Sequence, residues 1–80
     1  MPGSFSSVFV LAFDLDAKGE PVPVDAPQMA QDEEAGVEQA KALAVRHAGV
    51  VVWKREGDPV VGEESEPIVL FQTGRIGDFA

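Results

Sequence analysis

The chain contains no cysteine, so neither a disulfide framework nor a thiolate metal site can support its fold, and nothing points to an oxidising compartment. A single histidine, His47, leaves no histidine pair for zinc. No apolar run approaches the roughly 20 residues that a membrane-spanning helix needs. The start, MPGSFSS, lacks the basic region and the small-residue cleavage site of a signal peptide. Bases are scarce as well: six Lys and Arg stand against 14 Asp and Glu, for a formal net charge of -8. Nucleic acid and anionic membrane both need clustered cations to displace counterions, so the charge balance argues against either as a partner. Lys54 and Arg55 are adjacent but close an apolar run, where strands place solvated charges. The acidity suits solubility, and the charged partner it would suit is a basic protein. A soluble cytoplasmic protein without a cofactor is the expectation.

What is present is enough for one small domain spanning residues 1–80, near the size at which folding buries only about 60% of the unfolded surface. FSSVFVLAFDL, from Phe5 to Leu15, carries Phe9, Leu11, Phe13 and Leu15 on one face and Val8, Val10 and Ala12 on the other, a strand to be covered on both sides. DAKG then forms a turn, with Gly19 available for a positive φ. Pro21 and Pro23 lie two apart, so their missing amide hydrogens can face the same side of a short edge strand while Val22 and Val24 pair inward. If they do not, residues 21–25 are a linker. QMAQ leads as a link or first turn into an amphipathic helix over 32–48. Asp32 is its N-cap, Glu33 and Glu34 lie against the positive end of its dipole, Arg46 and His47 sit in the last turn, and Gly49 is the stop. Its apolar stripe, Val37, Ala40, Leu43, Ala44 and Ala48, is narrow and Ala-rich. VVVWKRE is the next strand, EGDPVVGEESEP a long solvated connection, IVLFQT the last strand and GRIGDFA a tail.

Few residues carry chemistry. VFVLAFDLDAKG resembles the first motif of haloacid-dehalogenase-type phosphotransferases, which would make Asp14 the nucleophile and Asp16 the acid/base, with magnesium nearby. The likeness ends within a dozen residues: Ala17 and Lys18 stand where a small hydroxyl residue is expected, and the chain has no room for that α/β core. The same stretch can be aligned to a calcium loop with Asp14, Asp16, Gly19 and Asp25 at ligand or glycine positions, but Lys18 falls where an oxygen is needed and no helix precedes it. Asp14 and Asp16 are thus the metal candidates, and a hairpin turn is the simpler reading. His47 reads as a half-buried residue near a helix C-terminus, and Trp53, though large enough to stack on a ligand, reads as core among valines. GDPVVG lacks the Lys-Ser/Thr and the strand-to-helix setting of a phosphate loop. No set of nucleophile, base and oxyanion donors is present, so the chain is not read as an enzyme.

FDLDAKGEPVPVDAPQMAQDEEAGVEQAKALA is similar in outline to HicB-like antitoxin domains: a strand, an acidic Gly turn, a short strand ending at Pro, then a helix containing EEA. The resemblance implies an interaction module and assigns no functional residue. The reading that results is an α+β domain, one helix packed on a small, mainly antiparallel sheet of three or four strands, ordered ββαββ, or βαββ if residues 21–25 are a linker. Its expected role is a non-catalytic protein-interaction or regulatory module. The alternative is a small-molecule or metal-binding domain using the Asp14/Asp16 turn and Trp53. One narrow helix cannot cover both faces of such a sheet, so a homodimer formed across the second face is expected.

Overall fold

In the computed structural model, which describes residues 5–58, 63–64, 67–77 and 79, one long strand organises the rest. The expectations for the first four residues and for most of the acidic connection, at 59–62 and 65–66, lie outside the described residues. The elements are β1 (Phe5–Leu15), β2 (Pro21–Pro23), β3 (Gln28–Ala30), α1 (Glu33–Ala44), β4 (Gly49–Asp58), β5 (Glu63–Glu64) and β6 (Ile68–Gly74). All strand pairings are antiparallel. β4 lies along one side of β1, from Phe5↔Gly57 to Phe13↔Gly49. On the other side of β1, β2 and β3 follow one another in a single broken row, through Leu15↔Pro21 and Val10↔Gln28. β5 and β6 form a second broken row on the far side of β4. One helix on an antiparallel sheet is the α+β architecture expected, with more strand segments than the three or four foreseen.

The Pro21/Pro23 segment is the edge strand rather than a linker: Val22 pairs with Asp14, and the Val24 amide donates to the Ala12 carbonyl at 2.9 Å. QMA, read as a link or a helical turn, is instead β3. Its residues alternate no apolar face, and main-chain pairing with Val8, Phe9 and Val10 holds it as a strand. β5 was not foreseen either, within what was read as connection.

Alternation along β1 and β4 divides the core in two. Val8, Val10, Ala12, Val50 and Val52 face α1 and bury Ala40, with Leu43, Ala44, Leu70 and Phe71 at the margin. Asp32 caps the helix as expected, its Oδ1 accepting the Ala35 amide hydrogen at 2.7 Å. Gly36, which the apolar stripe did not include, is buried where the helix passes closest to the sheet: a Cβ there would lie 2.9 Å from Val8 Cγ1. The helix ends at Ala44, one turn before the expected Ala48. The Arg46 and His47 amides both return to the Leu43 carbonyl, turning the chain down to the sheet. Gly49 is therefore not a helix stop. It opens β4, where a Cβ would lie 2.0 Å from the Arg75 carbonyl oxygen, so the glycine answers a close approach of backbones rather than a left-handed φ.

The second face carries Leu11, Phe13, Val51 and Trp53, with Phe9 alongside. Two residues of the stretch read as a tail, Ile76 and Phe79, pack on this cluster, leaving Phe13 0% and Trp53 3% exposed. The expected reason for a homodimer, an uncovered second face, does not hold in its centre because Ile76 and Phe79 cover it.

Candidate functional site

Asp14 and Asp16, the metal candidates, are used separately. Asp16 closes the hairpin turn, its Oδ1 accepting from the Lys18 amide at 2.8 Å and the Glu20 amide at 3.0 Å, while Gly19 takes φ 81°. Asp14 belongs to the helix-facing side of β1. Both its oxygens lie 3.2 Å from His47 Nδ1, and Oδ1 also accepts the Ala48 amide hydrogen at 3.2 Å. Among the described residues no three His, Cys, Asp or Glu side chains come together as a metal site.

The Asp14–His47 pair ties β1 to the turn after α1 across 33 residues of sequence. Beside it the β2/β3 row breaks. Val24 is bonded to Ala12 and Gln28 pairs with Val10, so residues 25–27 all stand opposite Leu11. Such a bulge cannot follow the ladder and bows away from β1. The space it leaves under the end of α1 is a cleft of about 170 Å³, lined by Val10, Leu11, Ala12, Val24, Asp25, Ala26, Gln28, Leu43 and His47. Val10, Ala12, Val24 and Leu43 supply apolar walls. The polar side chains are Asp25, Gln28 and the imidazole whose Nδ1 is engaged by Asp14. A histidine that donates its Nδ1 hydrogen to a carboxylate presents Nε2 as an acceptor when neutral. That is the orienting half of an acid/base site, but among the described residues no Ser, Thr or Cys lines the cleft to serve as nucleophile. His47 was read as half-buried near a helix end, which it is; its partner could not be seen in the sequence.

Trp53, the candidate stacking residue, is core on one side and groove wall on the other. Its ring is stacked on Phe9 at 5.5 Å between centroids and 27° between planes, and meets Phe79 at 4.7 Å and 44°. Phe9, Pro27, Trp53, Arg55 and Phe79 outline an open groove of about 330 Å³. The two aspartates lie at the other end of β1 and do not contribute to it. The alternative site made of Asp14, Asp16 and Trp53 is therefore not brought together.

The sheet's two outer rows differ in kind. The β2/β3 row carries Pro21, Pro23 and Pro27 and the bulge. β6 runs seven residues, IVLFQTG, without proline or charge, and Ile68 and Val69 remain 43% and 44% exposed. Among the described residues β6 pairs with β4 alone. The remaining exposed apolar side chains include Met29 on β3 and Leu15 at the end of β1. No helix among the described residues is long and apolar enough to cross a membrane. No family model, curated protein or solved structure matches the chain.

Proposed function

We propose that the domain is a non-catalytic protein-interaction module whose working surface is the outer edge of β6, and that a second copy of the chain pairs there. The observation supporting this reading is the contrast between the two outer rows. An edge strand is a template for further pairing unless proline, charge or a bulge spoils it. The β2/β3 row has prolines and a bulge, whereas Ile68–Gly74 has neither proline nor charge. In a chain of net charge -8, a neutral strand is where two copies can approach with least repulsion. A two-fold axis through antiparallel β6 strands would make one continuous sheet with both helices on the same face. A basic protein, by contrast, would be drawn to acids such as Glu33 and Glu34 at the start of α1. A regulatory role of the HicB-like kind is one form that such a module takes.

A substitution that removes one outward amide tests the reading. The Arg75 amide bonds to the Ala48 carbonyl, so alternation directs the Thr73 and Phe71 amides toward β4 and the Gln72 amide outward. Gln72→Pro should leave the β4–β6 ladder and the melting temperature nearly unchanged while abolishing pairing with another copy. Sedimentation equilibrium at tens of micromolar protein in about 0.1 M salt should give a dimer mass for the wild type and a monomer mass for the variant. A wild-type monomer throughout, or a dimer that survives the substitution, overturns the proposal.

A further inference from the structure

We propose that the cleft between the end of α1 and the bulge at residues 25–27 is a binding site for a small organic cation, a protonated amine on a compact hydrocarbon body. This goes beyond pairing at β6 and uses none of the residues of that edge.

Three features meet in the cleft. The first is the bulge, whose three residues opposite Leu11 give up ladder pairing and leave room beneath the helix. Bulges are retained where a strand must re-aim side chains or make space beside a site. The second is size. About 170 Å³ is close to the roughly 150 Å³ that suffices for a benzene ring in an apolar protein cavity. Val10, Ala12, Val24 and Leu43 give such a ring its walls. The third is the sign of the polar groups. His47 is held by Asp14 through Nδ1, so Nε2 is the ring atom left for a ligand. Asp25 spends Oδ1 on the Ala26 amide at 2.8 Å and keeps a carboxylate charge at the rim. Gln28 Oε1 already accepts from Gln39 Nε2 at 2.8 Å, which fixes that wall against the helix. With the imidazole neutral, the cleft offers two acceptors, Nε2 and the Asp25 carboxylate, above an apolar floor. An ammonium head supplies several N–H donors and the opposite charge, whereas a carboxylate ligand would face Asp25. The chain's net charge of -8 favours approach of the cation in the same sense.

Benzylamine is a suitable probe, with benzoate as its anionic counterpart, each titrated into the Gln72→Pro chain so that the outcome does not depend on pairing between copies. Amide chemical shifts should move saturably with benzylamine at Val24, Asp25, Ala26, Gln28, His47 and Ala48, with a dissociation constant on the order of 1 mM, and should not move with benzoate. Asp25→Asn keeps the Oδ1 acceptor for Ala26 but removes the charge, and should weaken benzylamine about tenfold. Leu43→Phe fills the cleft and should abolish the shifts. Absence of saturable shifts, equal binding of benzoate, or benzylamine affinity unchanged in the Asp25→Asn chain would overturn the proposal. A failure of pairing at β6 would leave it standing.

Discussion

Replacing Gly36 by alanine sets two effects of similar size against each other, and the packing of α1 decides between them. Intrinsic propensity alone favours the change: a glycine in a helix interior costs about 1 kcal/mol relative to alanine. At this position the added Cβ would lie 2.9 Å from Val8 Cγ1, 3.2 Å from Val52 Cγ1 and 3.3 Å from Ala30 Cβ. None of these atoms ends a long flexible side chain. Val8 and Val52 are buried and β-branched, with little rotamer freedom, and Ala30 belongs to β3. The helix must lift from the sheet or the valines must leave their preferred rotamers, and overpacking of this kind costs about 1–3 kcal/mol. The clash is therefore expected to win, with a net loss of about 1 kcal/mol and a melting temperature lower by about 5 °C for a domain of this size. Urea denaturation of Gly36→Ala, Val8→Ala and the double variant measures the effect. Val8→Ala removes the nearest atom, so the double variant should be more stable than the two single changes predict by about 1 kcal/mol. If Gly36→Ala raised stability by the full helical gain, the close seating of α1 on β1 and β4 would be refuted.

Two further outcomes are expected. Phe79→Ala should shift Trp53 fluorescence to the red and lower stability by about 1–2 kcal/mol, less than a fully buried phenylalanine would cost, because Phe79 covers Trp53 while itself remaining half-buried; unchanged emission would show that the 75–79 segment does not lie on that face. Lys54 has its pKa raised above 10.5, first by the hydrogen bond to Glu33 at 3.0 Å and then by the charges of Glu33 and Glu56. A raised cationic pKa stabilises the fold below the unfolded value and loses that contribution as pH rises through the folded one, so side-chain NMR titration of Glu33→Gln should bring Lys54 back toward 10.5 and remove this source of alkaline sensitivity.

Much of the fold was legible where local chemistry and tertiary demand agree. Asp32 followed by two glutamates marks a helix start by capping and dipole alone, and the valines of β4 require burial on both faces wherever they lie. Gly19 is a turn glycine in sequence and in fact. Legibility failed where backbone pairing or distant partners decide. Gln28, Met29 and Ala30 form a strand because β1 offers unpaired groups, not because their side chains alternate, and Met29 remains 67% exposed. Gly49 follows a helical pattern and invites a cap reading, while the true constraint is a carbonyl contributed by Arg75. Ile76 and Phe79 are two apolar residues in a polar stretch, too sparse to announce a covering segment. The cleft was the least legible of all: Asp14 was read with its neighbour Asp16, but the sheet turns it toward a histidine 33 residues away.

Gly49 and Gly74 stand opposite one another in the β4–β6 ladder, each within contact distance of the other strand's main chain. A strand of valines has little in its own side chains to distinguish one alignment from the next, and a slip of one residue would turn β6 inside out. The glycine pair acts as a key. A Cβ at Gly49 would lie 2.0 Å from the Arg75 carbonyl oxygen and one at Gly74 2.1 Å from the Ala48 carbonyl oxygen, so each glycine admits the close backbone approach that this alignment brings. The same alignment delivers Ile76 and Phe79 to the face they cover, which makes two residues without side chains responsible for where the final aromatic ring is placed.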